Sequence, residues 1–328
     1  MIDYQPLFAA LKQHYPTQCF TKTVTIQSLW SGYGEIARLQ SSDQSLSVIA
    51  KIIQPPAVSS HPRGWHSTTS HRRKLSSYIN EQNFYQYYAP ALNGFSRVAE
   101  LVASAQCGES SWLLLEDLDA AGYAYRVEQA NIDAVGAMLT WLAHFHATFM
   151  QQPCEHVWQR GSYWHLATRQ DEWQAMPEGR LKVAATQIDE RLANCPYKTL
   201  LHGDAKVANF CFRADLQKCA AVDFQYVGLG LGIQDVVYML GSVFNGAELE
   251  QYYAKAIECY FRSLRQGLSN AKLNCDHLEK VWRDLLPFAW ADFERFLSGW
   301  SPGHRKLNHF SAQQTAIALA QLASTGNT

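Results

Sequence analysis

Two hydrophobic rhythms divide the 328-residue chain. Up to about residue 115, apolar positions alternate with polar ones or gather in short β-branched runs. Beyond residue 130 they recur mostly at helical spacing. Pro6–Tyr15 reads as a short amphipathic helix with Leu7, Phe8 and Leu11 on one side. Thr21–Trp30 alternates like a strand, Ser31-Gly32-Tyr33-Gly34-Glu35 forms a turn, and Ile36–Leu39 resumes a strand. Ser45–Ile53 is a third strand, which Pro55-Pro56 ends. Ala57–Lys74 reads as a loop, and Leu75–Tyr88 as a helix that contains Glu81. Phe95–Ala103 and Ser111–Leu115 supply two more strands. In the second half, helices are predicted over Asn131–Met150, Leu181–Leu192, Leu249–Leu264, Asp276–Leu297 and Ser311–Ala323.

One stretch in the helical half breaks its rhythm. Leu200–Tyr226 reads as strand, loop, short hairpin, strand and loop. The first loop carries His202-Gly203-Asp204-Ala205-Lys206-Val207-Ala208-Asn209, and the apolar run Cys219–Val222 leads into Asp223-Phe224-Gln225. Phosphoryl transfer needs a carboxylate to orient and deprotonate a hydroxyl, a cation near the moving phosphoryl group, and oxygen ligands for Mg²⁺. Asp204 supplies the first and Lys206 the second. Asn209, five residues after Asp204, and Asp223 supply the third. A lone His-Gly-Asp would be no more than a surface turn. Four functional types at these offsets point to a catalytic loop and a metal-binding loop.

Composition narrows the classes. The net charge of −1 gives no global field for nucleic acid or anionic membrane. A hydrophobic content of 47% is enough for a sizeable core. The eight cysteines are scattered without a C-x-x-C pair, which fits reduced thiols and a cytoplasmic location better than a disulfide frame or zinc site. The N-terminal stretch MIDYQPLFAALKQ has no signal-peptide pattern, and no apolar run reaches the roughly 18 residues of a membrane span.

The Leu200–Tyr226 stretch resembles the small-molecule branch of the protein-kinase-like fold: aminoglycoside phosphotransferases, choline kinases and, most closely, the ecdysteroid-kinase-like group. Those enzymes tend to write His-Gly-Asp where protein kinases write His-Arg-Asp. Phe-Gln after Asp223, in place of Phe-Gly, argues against a protein-kinase activation switch. The resemblance implies an α+β bilobal fold: an antiparallel-sheet lobe with one main helix over residues 1–115, and a mostly helical lobe over 116–328. It implies ATP and Mg²⁺, and a small hydroxyl-bearing acceptor. The turn with Gly32 and Gly34 would cover the nucleotide phosphates, Lys51 in Val48-Ile49-Ala50-Lys51 would pair with the α- and β-phosphates, and Glu81 would pair with Lys51. Glu116 and Leu118 would hold adenine through backbone groups, and Asp235 would brace the catalytic loop. A nucleotide-binding pseudoenzyme is the alternative, against which stands the retention of every chemical group.

Other features carry less. Gly228-Leu229-Gly230-Leu231-Gly232 mimics a dinucleotide fingerprint, but position 233 is Ile and no later parallel strand follows. There is no Walker A sequence and no Ala-Pro-Glu segment. Asp235 is placed as the N-cap of a helix over Val236–Phe244, worth about 1 kcal/mol. Arg63, Arg72, Arg73 and Lys74 make the 57–74 loop basic, and the spacing of His61, His66 and His71 is poor metal geometry. Trp290–Trp300 reads as an amphipathic helix packing Phe293, Phe296 and Leu297. A parallel sheet through Ala220–Val222 would contradict the whole reading.

Overall fold

The computed structural model describes residues 2–29, 32–55, 68–128 and 131–325. Helix α1 (Gln5–His14) precedes strands β1 (Phe20–Ser28), β2 (Gly34–Ser41) and β3 (Ser47–Ile53). Helix α2 (Thr68–Asn83) follows, extended by a π-helical turn over Phe84–Tyr88. Next come β4 (Arg97–Val98), β5 (Leu101–Cys107) and β6 (Ser110–Glu116). Five of these strands form one antiparallel sheet in the order β1-β2-β3-β6-β5.

Period two decides which face of β3 does what. Val48, Ala50 and Ile52 point to the outer face, where they pack with Leu7 and Leu11 of α1. Ile49 and Lys51 point to the inner face and line a cavity. Strand β1 is an edge: after Phe20 all its residues are exposed, which suits its run of Thr and Lys.

Helix α3 (Ile132–Thr148) starts the second half, its N-cap Asn131 accepting from the N–H groups of Asp133 and Ala134. Helices α4 (Gln170–Ala175) and α5 (Arg180–Ala193) lead to β7 (Thr199–Leu201), the hairpin β8 (Phe210–Phe212) and β9 (Cys219–Ala221), and β10 (Gly228–Gly230). Helices α6 (Gly232–Val243), α7 (Gly246–Gly267), α8 (Cys275–Trp300) and α9 (His309–Thr325) complete the chain. The large core lies in this half, with Trp141, Phe145, Trp282 and Trp290 fully buried. This is the protein-kinase-like bilobal α+β fold. Among the described residues, no helix is long and apolar enough to cross a membrane.

Four details differ from expectation. Thr68–Lys74, read as loop, are the first turns of α2. They are polar and β-branched, so no apolar period marked them; Arg73 fastens the turn by donating to the Thr168 carbonyl at 2.9 Å. The rest of the 57–74 loop, with His61, Arg63 and His66, lies outside the described residues except at its helical end. The strand over Phe95–Ala103 is broken into β4 and β5, and Phe95 is exposed outside both. Asp235 is no N-cap: α6 begins at Gly232, where Gln234 accepts the Leu231 N–H, so Asp235 sits inside the helix. Finally, β4 pairs in parallel with β9 (Arg97 with Ala220, Val98 with Ala221). This two-residue ladder joins the halves within a mixed sheet whose other pair, β8 with β9, is antiparallel. Strands β5 to β8 and helices α3 to α5 all lie between its two strands, so the pair is no βαβ unit and the dinucleotide-fold reading gains nothing from it.

Candidate active site

A cavity of about 840 Å³ opens between the sheet and the helical half. Lys51, Glu81, Glu116, Leu118, Asp204, Lys206, Asn209 and Asp223 all line it. Gly32 and Gly34 do not; Tyr33 between them and Leu29 just before their turn do. Gly34 has a structural reason instead. Its φ is +137°, and a Cβ there would stand 1.9 Å from the Ile52 carbonyl oxygen, so the turn closes onto β3 only with glycine.

The loop after β7 is held by one face of α6. Asp235 accepts from the His202 N–H at 2.6 Å and the Gly203 N–H at 3.0 Å. Three residues on, the Tyr238 hydroxyl donates to Asp204 Oδ1 at 2.9 Å. A further turn along, Ser242 Oγ accepts from the Val207 N–H at 3.0 Å. Spacings of three and four residues put these side chains on one stripe. Asp235 is itself fully buried and meets His146 Nε2 at 3.2 Å, while Tyr260 engages the other ring nitrogen. Gly203 has φ +81°, and a Cβ there would lie 2.1 Å from the Tyr226 carbonyl oxygen. Only glycine lets the loop pass that close.

Asp204 is 5% exposed. Its Oδ2 receives Lys206 Nζ at 2.8 Å and Asn209 Nδ2 at 3.2 Å. Burial pushes its pKa above the usual aspartate range against the opposing charge of Lys206. Asn209 Nδ2 also donates to the Asp204 carbonyl at 2.8 Å. Its side-chain oxygen is therefore left without a partner among the described residues.

Asp223 has a different setting. Its backbone is left-handed, φ +69°, a conformation aspartate tolerates better than most residues. Its side chain keeps 33% exposure. Lys51 Nζ lies 2.5 Å from Glu81 Oε2 and 3.2 Å from Asp223 Oδ1. Burial would raise the Asp223 pKa, but Lys51 and Lys206 outweigh it and hold the carboxylate at about 2. Burial likewise opposes the charge on Lys51, and Asp223 with Glu81 more than offset it, so its pKa stands above the ordinary lysine value.

Helix α2 fixes this second loop. Gln225 Nε2 donates to Asp223 Oδ1 at 2.7 Å, and Gln225 Oε1 accepts from Ser77 Oγ at 3.1 Å. Asn80 Nδ2 donates to the Val227 carbonyl at 3.0 Å and to that of Gln225 at 3.2 Å. Phe224 is buried, its ring stacked on Phe84 with centroids 3.8 Å apart. The glutamine that replaces glycine after Phe224 is thus a strut between α2 and Asp223. Its role was not read from sequence, although a side chain where the resembled motif has none was a signal. Tyr238 was also missed; its spacing of three from Asp235 was the available clue.

At the far end of the cavity, Glu116 pairs with Arg97 at 2.5 Å. Arg38 spans Asp117 and Asp119 at 2.6 Å each, and Arg126 meets Asp119 at 2.8 Å. The Glu116 N–H is given to the Glu100 carbonyl, and the Leu118 carbonyl accepts from Tyr123. Trp290–Trp300 behaves as a packing helix: Phe293, Phe296 and Leu297 are buried with Trp164 and Tyr238 and do not line the cavity.

The sequence matches the model of the phosphotransferase enzyme family over residues 44–269, well over half of the chain. The protein belongs to this family. Membership makes it a phosphotransferase of the small-molecule kind. Solved structures agree on the fold. A microcompartment-associated aminopropanol kinase is 16% identical, with a TM-score of 0.52, covering 97% of this chain and 94% of its own. A Plasmodium vivax ethanolamine kinase is 10% identical, with a TM-score of 0.50, covering 95% of this chain and 85% of its own. No curated protein matches the chain.

Proposed function

We propose that the protein transfers the γ-phosphoryl group of ATP to a hydroxyl of a small molecule, with Mg²⁺ as metal cofactor. The carrying observation is the meeting of Lys51, Glu81, Asp204, Asn209 and Asp223 on one cavity. In this reading residues 1–115 hold the nucleotide, and residues 116–328 supply the catalytic groups and the acceptor site.

The residues suit the ligands proposed. Ile36, Ile49, Leu115 and Leu118 give the cavity apolar walls for a flat base. With the Glu116 N–H and Leu118 carbonyl already engaged, adenine falls to the Glu116 carbonyl and the Leu118 N–H. Lys51, fixed by Glu81, pairs with the α- and β-phosphates. The partly exposed carboxylate of Asp223 and the unpartnered oxygen of Asn209 would hold the metal, whose charge offsets that of the phosphates. Among the described residues no group of three His, Cys, Asp or Glu side chains is placed to hold a metal ion. Mg²⁺ needs none, since it is commonly held by one or two protein oxygens plus substrate phosphates.

Asp204 orients the acceptor hydroxyl and takes its proton, while Tyr238 and Asn209 fix the carboxylate. Lys206 neutralises charge on the phosphoryl group in transit. The test is ATP consumption over a panel of amino-alcohols, sugars, nucleosides, aminoglycosides and hydroxylated lipids, run beside Mg-ATP titration. Acceptor-dependent turnover is expected. Tight Mg-ATP binding with no transfer to any acceptor would favour a nucleotide sensor instead.

A further inference from the structure

Charge is distributed unevenly along the cavity. At the Glu116 end every acidic lining side chain has an arginine: Glu116 has Arg97, Asp117 has Arg38, and Asp119 has Arg38 and Arg126. In the centre, Asp204 has Lys206 and Asp223 has Lys51. Beyond Asp204 the walls are Tyr163, Tyr226, Tyr238 and Arg169, with no further carboxylate among the described lining residues.

Cations are in excess there. Arg169 Nε donates to the Tyr163 carbonyl at 2.7 Å, and its Nη1 meets Glu172 at 3.0 Å, which leaves Nη2 uncommitted. Arg73 makes no ion pair with a described residue; its bond goes to the Thr168 carbonyl, next to Arg169. Burial first, and then the charge of Arg169, lower the pKa of Arg73, while Tyr226, Glu172 and the exposed Asp171 act the other way. Of these two guanidinium groups only Arg169 lines the cavity; Arg73 is fixed at the Thr168 carbonyl, and Glu172 is the one acid in ion-pair contact with either among the described residues. Lys306 approaches from behind: its Nζ stands 4.5 Å from the centroid of Tyr238, the ring whose hydroxyl holds Asp204, and it too makes no ion pair with a described residue.

The triphosphate does not account for these groups. Lys51 pairs with Asp223 and Lys206 with Asp204 at the centre of the cavity, whereas Arg169 pairs with Glu172 and Arg73 is held at the Thr168 carbonyl. A cavity-lining guanidinium with a free Nη2 beside aromatic rings is a site for a planar or tetrahedral oxyanion. A cationic acceptor would meet repulsion from the same group.

We propose that the phosphoryl acceptor is a small hydroxyl compound bearing an anionic group, carboxylate or phosphate, seated against Arg169 beside Tyr163 and Tyr226, with Arg73 adding positive charge from outside the cavity wall. This rests on the phosphotransferase function proposed above and narrows its acceptor. The aminopropanol and ethanolamine in the names of the similar kinases are amines, so the inference separates this chain from them.

The experiment holds the three-carbon skeleton constant and varies only charge. With the protein saturated in Mg²⁺ and a non-hydrolysable ATP analogue, four probes are titrated by calorimetry: glycerol, 2-amino-1,3-propanediol, glycerate and glycerol 3-phosphate. At least one of the two anions is expected to bind ten-fold or more tightly than the amine and the neutral triol. Comparing glycerate with glycerol 3-phosphate tells carboxylate from phosphate. Arg169→Gln should reduce that preference to three-fold or less while Arg169→Lys restores part of it, and Arg73→Gln serves if Arg169→Gln does not fold. Neither Arg169→Gln nor Arg73→Gln should shift the affinity for the nucleotide analogue. Equal or tighter binding of the amine, no saturable binding of either anion, or a preference that survives both substitutions overturns the proposal. If the nucleotide analogue itself fails to bind, the phosphotransferase mechanism falls first, and the two failures are told apart.

Discussion

The two loops that carry Asp204 and Asp223 use the same device with different anchors. A helix face captures each loop, but α6 holds the first and α2 the second. Helix α6 is buried throughout its length inside the helical half. Helix α2 instead docks across the cavity between the halves, and its Glu81 holds Lys51 of β3. Asp204 is enclosed by three donors, whereas Asp223 keeps a third of its side chain open to the cavity. The difference teaches a division of labour. The Asp204 loop is anchored within the helical half, and the Asp223 loop depends on its contact with α2 from the other half.

The largest effect is expected at Asp204. Asp204→Asn keeps the size and most hydrogen bonds of the side chain but removes the proton acceptor, so kcat should fall by about 10²- to 10⁴-fold with the fold intact. Unchanged turnover on an identified acceptor would end the catalytic assignment. Next comes the anchor. Asp235→Ala leaves the buried N–H groups of His202 and Gly203 unsatisfied, at about 1–3 kcal/mol each. Denaturant unfolding should show a loss of several kcal/mol, and a loss below about 1 kcal/mol would mean the loop stands without α6.

Lys51→Met tests the second loop. Loss of the ammonium group should weaken ATP binding. The structure adds a cost, because Lys51 is the one ion-pair partner of buried Glu81 among the described residues, and breaking a buried pair costs about 3–5 kcal/mol. Lys51→Met should therefore lower both Tm and Mg-ATP affinity. The double variant Lys51→Met with Glu81→Gln should regain stability without regaining affinity. Recovery of both would show that the pair is only structural.

The smallest effect is expected at Gln225. Gln225→Leu removes one bond to Asp223 and one to Ser77, worth about 1 kcal/mol between neutral partners and somewhat more at the carboxylate. Mg-ATP binding should weaken several-fold while the Asp204 loop keeps its geometry. A loss in kcat at saturating Mg-ATP instead would mean that the two loops are coupled.

How much of this was legible in the sequence follows from locality. Asp204, Lys206, Asn209 and Asp223 fall within twenty residues, and the proposed chemistry needs those types at those offsets, so these four could be singled out directly, and all four line the cavity. Lys51 and Glu81 were placed by element order and lie 2.5 Å apart. The helical start of α2 stayed hidden, because Thr68–Lys74 has no apolar period and is held by a distant carbonyl. Asp235 was read as a cap because a polar residue before an apolar run looks like one; its bonds to His202 and Gly203 come from 33 and 32 residues away. The turn glycines were expected at the phosphates, but Gly34 answers to steric closeness with β3. What depended on distant partners was not visible in the local pattern.

The central claim, that Asp204 acts on the acceptor and Asp223 on the metal-bound nucleotide, is tested most directly by calorimetric titration of Mg-ATP into Asp204→Asn and Asp223→Asn. The predicted result is near-normal affinity in Asp204→Asn and an affinity lowered ten-fold or more in Asp223→Asn, partly restored by raised Mg²⁺. Loss of Mg-ATP binding in Asp204→Asn alone, with Asp223→Asn unaffected, would contradict it.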